Sequence, residues 1–356
     1  MMSRIRSEVC SGGTQEMSTS GSGQSSRSES PGPRRKSLEV CAGAGGLALG
    51  LEQAGFDPVL LIDNRPVACE TLRLNRPIWD VHEMDLLEFD PVEHPQVYDI
   101  DLLSAGLPRV EATASGRRAQ GSDVELHLIK ATILLMHAVQ PGALLVENVP
   151  DLVTKETYAP IREFVGIELA HLGYRHRWFV LNAANYGVPQ DRKQGVLVAF
   201  RDDRLEAFSE PPRDLSPPIT VGRALEQSMA ERGWEQARVW AAQANRIAPT
   251  LVGGSWKRGG ADLGPTGTKN AWEKMGVDGG TVADKVPDQD FHWDPDSGRE
   301  SMVRLTVEQA ALLQGFPEDW RFAGRKTARY RQVGNASPPP VGRALGLAIG
   351  DALDAC

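Results

Sequence analysis

The chain has 356 residues, 41% hydrophobic and 24% charged, with a formal net charge of -8, a balance that suits a globular protein of one large domain and a smaller one. No run of about 18 apolar residues occurs, which excludes a transmembrane helix. The four cysteines, Cys10, Cys41, Cys69 and Cys356, are scattered without a CxxC pair, so neither a zinc site nor a disulfide framework is expected and a reducing cytosol is the expected location.

The first 36 residues are rich in Ser, Gly and Arg and read as a disordered tail, not a secretory signal. They hold six basic and three acidic residues, leaving 33 basic against 44 acidic in the remainder. That balance argues against a surface coated for nucleic acid, while leaving room for a local basic groove.

From Ser37 the pattern is a short strand (Leu38, Val40), a glycine cluster (Gly43, Gly45, Gly46), an amphipathic helix (Leu47, Leu49, Leu51, Ala54) that stops at Gly55, and a second strand, Val59 to Ile62, ending in Asp63. Glycines at a strand-to-helix turn let backbone approach a ligand, and the free N–H groups of the helix start face it. An acid at the tip of the next strand is placed to hold ribose hydroxyls. The spacing is not GxGxxG and no GK[ST] follows, which disfavours NAD and ATP. A helix is expected over Arg65 to Leu74, then a strand over Val81 to Met84 ending at Asp85, a carboxylate placed to take the amino group of an adenine.

Asp101 to Ser104 reads as another strand, followed by a long polar loop with the length and composition of an active-site loop. A helix over Val124 to Val139 leads to a buried strand, Ala143 to Val146, that delivers Glu147 and Asn148. Then come a helix (Tyr158 to Leu172), a strand (Arg177 to Leu181), the loop Asn185 to Gln194 and a strand (Gly195 to Phe200). This alternation predicts an α/β fold with a doubly wound, mostly parallel sheet and functional groups at strand ends. The organisation expected is a tail over 1–36, a cofactor-binding and catalytic domain over 37–210, a small irregular recognition region with short strands over 211–300, and a C-terminal segment over 301–356 that returns to the catalytic domain. Helices are expected at Thr306 to Gln314 and, after three prolines, at Val341 to Leu353. In the irregular region Lys257, Arg258, Lys269 and Lys274, with Trp256 and Trp272 between them, are candidates for phosphate contacts and base wedges, or equally for a solvated surface.

Five blocks in order, CAGAGG, ENV at 147–149, GVPQDRKQGVLVAF (187–200), RLTVEQAALLQGFPEDW (304–320) and YRQVGNASPPPVGRAL (330–345), resemble the DNA cytosine-5 methyltransferase family. The resemblance runs from Ser37 to near the C-terminus, with 201–300 as the variable target-recognition region. It implies S-adenosylmethionine as cofactor, bound by Ala42, Gly43, Ala44, Gly45 and Gly46, by Asp63 at the ribose, Asp85 at the adenine, and Asn335, brought back by the last helix. It implies DNA as partner, with no metal and no membrane. It also implies that Glu147 contacts the N3 side of a flipped cytosine, that Asn148 shapes the neighbouring loop, and that Arg192, the first arginine of a Gln-x-Arg-x-Arg block starting at Gln190, holds the base carbonyl.

Two positions depart from the family. Its loop after the fourth strand carries Pro-Cys, whose thiolate attacks C6 of the base so that C5 becomes nucleophilic; here the dipeptide is Pro108-Arg109, and arginine has no lone pair to give. The second arginine of the Gln-x-Arg-x-Arg block is Gln194. Three readings follow: a cytosine-5 methyltransferase, a pseudo-methyltransferase that holds the cofactor and serves as an accessory DNA- or partner-binding subunit to an active methyltransferase, and a methyltransferase for a heteroatom nucleophile, which needs alignment and a base but no cysteine.

Overall fold

The unit expected at 37–63 is present in the computed structural model, which describes residues 34–110, 120–253 and 260–355. β1 (Arg35–Val40) enters the glycine turn, α1 (Gly46–Gln53) leaves it and β2 (Phe56–Asp63) runs beside β1 in parallel. α1 is not amphipathic: Gly46 through Leu51 are all buried. The C-terminal helix covers its outer side so closely that a Cβ at Gly50 would stand 2.3 Å from the Pro339 carbonyl.

The chain then follows the expected alternation: α2 (Pro66–Asn75), β3 (Val81–Glu83), β4 (Leu102–Gly106), α3 (Gln120–Val139), β5 (Ala143–Asn148), α4 (Pro150–Thr154), α5 (Ala159–His171), β6 (Tyr174–Asn182), β7 (Gln190–Asp191) and β8 (Lys193–Arg201). Seven strands form one sheet in the order β3-β2-β1-β4-β5-β8-β6. β8 runs antiparallel to both neighbours, since the link from β6 is too short for the crossover that a parallel strand requires. The order reverses between β1 and β4, and a sheet of this kind opens a crevice outside the strand ends at that point. Alternate strand residues feed two cores. Leu38, Val40, Ile62, Leu103 and Val146 pack with residues of α3 and α5, while Phe56, Leu102, Leu145 and Val198 pack with Leu47, Leu51 and the C-terminal helix.

Residues 211–300 hold helices where short strands were expected: α6 (Val221–Ala230), α7 (Ala237–Gln243) and α8 (Thr266–Glu273), with β9 (Ala248–Pro249) pairing only β7. Periodicity fails to announce them because the burial comes from a few large rings. Trp234, Trp240 and Trp272 sit in one cluster with Leu61, Leu72 and Trp320 of the flanking segments, and each such ring buries about 150–250 Å². The structural consequence is that residues 211–300 share a core with residues on either side of them in sequence.

α9 (Val307–Leu313) starts at a capping box in which Thr306 and Gln309 bond each other's backbone, and each such cap is worth roughly 1 kcal/mol. α10 (Lys326–Asn335) and α11 (Pro339–Asp354) close the chain. Among the described residues no helix is long and apolar enough to cross a membrane, and no group of three or more His, Cys, Asp or Glu side chains is placed to hold a metal ion.

Candidate active site

The cofactor side is built from the ends of β1, β2 and β3. Cys41, with φ 52, and Gly43, with φ 55, bend the chain away from β1. Gly45 caps α1 in the left-handed conformation without a side-chain cap on the helix start. A Cβ at Gly43 would meet nothing within 4 Å, so the loop faces open space in front of the first turn of α1. Behind it the packing is closed: a Cβ at Gly46 would stand 2.0 Å from the Ser337 carbonyl, which presses the segment between α10 and α11 against the glycine loop.

Asp63 ties this loop to β2. Its two carboxylate oxygens accept from the Gly43 N–H at 2.8 Å and the Arg65 N–H at 2.9 Å. Burial pushes its pKa upward, and those two N–H groups and the Arg65 charge oppose the shift. Asp85 caps a short turn, accepting from Leu87 N at 3.0 Å and from the Asn64 amide at 3.2 Å. Both acids thus organise their own backbone and keep lone pairs for a ligand. Gly43, Gly45, the uncapped helix start and the strand-end acids fit a nucleoside-bearing ligand at the crevice. Asn335 ends α10, not the last helix as expected; it is exposed, and its carboxamide lies against Gly253.

The side expected to face the base is built from the ends of β4 and β5 and the start of β8. Asn148 brackets residue 109: its Oδ1 accepts from Val110 N at 3.2 Å and Val149 N at 2.8 Å, and its Nδ2 donates to the Pro108 carbonyl at 3.1 Å. The half-buried Arg109 is held between two anchored neighbours, with burial lowering its guanidinium pKa and the Glu147 charge raising it. Glu147 is 5% exposed, and its Oε1 has no hydrogen-bond partner.

Arg192 is wholly buried. Its Nη1 donates to the Leu251 carbonyl at 2.9 Å, and its Nη2 to the carbonyls of Gly334 and Ala336 at 3.2 and 3.0 Å. Only Nε is left without a partner. Burial depresses its pKa strongly; the Arg109 charge adds to this and Glu147 opposes it, so the three groups form one electrostatic cluster.

A buried polar network that the sequence does not announce surrounds Arg192. Gln190 donates to the Leu313 carbonyl at 3.1 Å and to Gln314 Oε1 at 2.8 Å, and accepts from Leu251 N at 2.8 Å. Gln314 reaches the Ala336 carbonyl, and Gln194 donates to Ser337 Oγ at 2.9 Å. The network joins β7 and β8 to Leu251, to the end of α9 and to the segment after α10. Its one signal in the sequence is three polar residues, Gln190, Arg192 and Gln194, leading into an apolar strand. Glu39 is likewise absent from the residues expected at the site: a carboxylate one residue before the end of β1, 2% exposed, accepting from Ser37 Oγ at 2.9 Å. Burial pushes its pKa up to about 7 against the pull of Ser104 and Ser37.

The expected DNA-facing residues divide. Trp272 is fully buried and belongs to the core, which removes it as a base wedge. Lys269 is paired with Asp262 at 3.3 Å, and Lys274 is exposed. Trp256, Lys257 and Arg258 lie outside the described residues.

A mostly parallel seven-stranded sheet with this strand order, a glycine cradle at the switch point and acids on the next two strand tips define an S-adenosylmethionine-dependent methyltransferase fold. Residues 35–351 match the family described as C-5 cytosine-specific DNA methylase, and the chain belongs to it. It is 42% identical over 322 residues to the Type II methyltransferase M.NaeI of Lentzea aerocolonigenes, covering 89% of this chain and 75% of that one. It is 40% identical over 325 residues to M.NgoMIV of Neisseria gonorrhoeae, covering 89% and 97%. Among solved structures the S. pombe Dnmt2 methyltransferase superposes with a TM-score of 0.60 at 18% identity, over 90% of this chain and 100% of that one. The Entamoeba histolytica methyltransferase EhMeth gives 0.63 at 12%, over 90% and 99%. The methyl donor of this family is S-adenosylmethionine.

Proposed function

We propose that this chain binds S-adenosylmethionine and DNA but does not itself methylate C5 of cytosine, and that it acts as an accessory, DNA-binding member of its family. One observation carries this reading. Position 109, held on both sides by Asn148 where the family places its nucleophilic cysteine, is an arginine.

No other described thiol replaces it. Burial, with the nearby charges of Asp63 and Asp85, pushes the Cys41 thiol up to about 12. Burial and Asp63 push Cys69 up to about 11, and its Sγ donates to the Asp63 carbonyl. Both remain protonated at neutral pH, and the thiolate is the attacking species. Without covalent activation the C5 carbon is too poor a nucleophile to take a methyl group.

The cofactor-side residues support binding. Bound S-adenosylmethionine supplies a methyl group on a sulfonium. The 42–46 loop and the start of α1 would hold it, Asp63 would take the ribose hydroxyls, Asp85 the adenine amino group, and Asn335 would approach from α10. On the base side Glu147 and the Nε of Arg192 offer one acceptor and one donor to an extruded base, and Arg109 adds a cation but no electron pair.

The test is expression in a host free of cytosine methylases, followed by digestion of total DNA to nucleosides and mass analysis. Absence of 5-methylcytosine, with calorimetric binding of S-adenosylmethionine to the purified chain, is the expected result. 5-Methylcytosine above the host background overturns the reading. Methyl label recovered on another macromolecule moves it to a heteroatom methyltransferase.

A further inference from the structure

The glycine loop leans on side chains from distant parts of the chain. A Cβ at Gly45 would stand 2.6 Å from Leu72 Cδ2 on α2 and 3.0 Å from Trp320 Cζ2, so these two residues form a close wall behind the turn. Trp320 is 6% exposed and its Nε1 has no hydrogen-bond partner. Its ring is placed only by packing, against Phe316 at 5.9 Å and Trp79 at 6.4 Å between centroids, and by its own backbone.

That backbone is locked to α2 by hydrogen bonds. Thr71, fully buried and next to Leu72, accepts from the Ala323 N–H at 2.9 Å and donates to Gln332 Oε1 at 2.6 Å. This acceptor is nearer than the Val67 carbonyl of its own helix, at 3.0 Å. Gln332 of α10, 5% exposed, closes the ring by donating from Nε2 to the Ala323 carbonyl at 2.9 Å. One turn further along α2, Asn75 pairs with the backbone of Arg321 in both senses. Its Nδ2 donates to the carbonyl at 2.7 Å, and its Oδ1 accepts from the N–H at 2.8 Å. A Cβ at Gly324 would lie 2.9 Å from Val67 Cγ2, so the turn before α10 lies directly on α2.

We infer that Thr71 is a positioning residue of the cofactor site. Without facing the ligand, its hydroxyl joins α2 to residues 321–332, sets Leu72 and Trp320 against Gly45, and so fixes the course of the loop. A buried polar network holds one arrangement when all its members are satisfied and fails when one is removed. Thr71→Val keeps the shape of the side chain but leaves the Ala323 N–H and Gln332 Oε1 without their shared partner. The link to affinity rests on the proposed reading that this loop holds S-adenosylmethionine; the link to loop order does not.

Amide hydrogen exchange on the full-length wild type, Thr71→Val and Thr71→Ser, without cofactor, reads the loop directly. Peptides covering residues 42–51 are expected to exchange on the order of tenfold faster in Thr71→Val, with peptides of β6 and β8 unchanged, and to recover in Thr71→Ser, which keeps the hydroxyl. Calorimetry with S-adenosylmethionine is expected to show affinity on the order of tenfold weaker in Thr71→Val, with recovery in Thr71→Ser. Unchanged loop exchange, an equal rise in β6 and β8, or no recovery in Thr71→Ser overturns the inference. Faster loop exchange in Thr71→Val with recovery in Thr71→Ser, but with cofactor affinity unaltered or no binding even in the wild type, supports the positioning role and overturns instead the reading that this loop holds the cofactor. If Thr71→Val does not fold, Asn75→Ala at the half-buried end of the lock is expected to loosen the same peptides, and unchanged exchange there contradicts the inference.

Discussion

The two halves of the crevice differ in how far their side chains follow the pattern the sequence resembles. Where β1, β2 and β3 end, residues 42–46, Asp63 and Asp85 match the resembled pattern, and each acid is tied into backbone. Where β4, β5 and β8 end, Glu147, Asn148 and Arg192 match the resembled blocks, whereas Arg109 and Gln194 depart from them. The comparison teaches that an anchored loop does not depend on the residue it presents, since Asn148 clamps both neighbours of position 109 with an arginine there.

The largest effect expected on the cofactor half comes from Asp63→Ala. It removes both N–H anchors of the loop and the carboxylate proposed for the ribose hydroxyls, so cofactor affinity by calorimetry should fall on the order of 100-fold, about 3 kcal/mol. A loss below threefold would mean that this half no longer serves a nucleoside.

Glu39→Gln addresses the floor beneath both halves. The folded-state pKa of Glu39 is raised from 4.5 to about 7, so between those values the folded chain holds a proton that the unfolded chain has released. The contribution of Glu39 is full below 4.5, declines as pH rises and is gone above about 7, a loss of roughly 3 kcal/mol. Denaturant titrations from pH 5 to 8 should show this decline in the wild type and a flatter profile in the variant; parallel profiles would refute it.

Asn148→Ala should sharpen the contrast from the base side. Losing three hydrogen bonds at a buried loop anchor is expected to cost about 2 kcal/mol in chemical unfolding, with cofactor affinity unchanged within about twofold. Equal losses in both would mean that the halves are coupled. The smallest effect is expected from Gly43→Ala, where a side chain at φ 55 costs about 1 kcal/mol of stability. Its methyl group points into open space before the loop, and a drop in cofactor affinity of about tenfold, read by calorimetry, is the expected outcome.

Much of this contrast is legible in the sequence because the cofactor half is local. Strand, glycine turn, helix and acid lie within residues 37–63, and their order dictates their geometry. The base half is assembled from residues more than 30 positions apart, and in the sequence only the family blocks bring Arg109, Glu147 and Arg192 together. What stayed hidden was tertiary. The antiparallel run of β8 follows from a short connection, α6 to α8 are stabilised by buried tryptophans without periodicity, and Trp272 looks like a wedge until its burial is known. Nor does the sequence reveal that Leu251, Gly334 and Ala336 present three carbonyls to the terminal nitrogens of Arg192.

The most direct measurement mixes the purified chain with one equivalent of methyl-labelled S-adenosylmethionine and excess unmethylated duplex DNA, then separates protein from DNA. Label that travels with the protein as intact cofactor, with none in the DNA, is the predicted result. Label fixed in cytosine would contradict it.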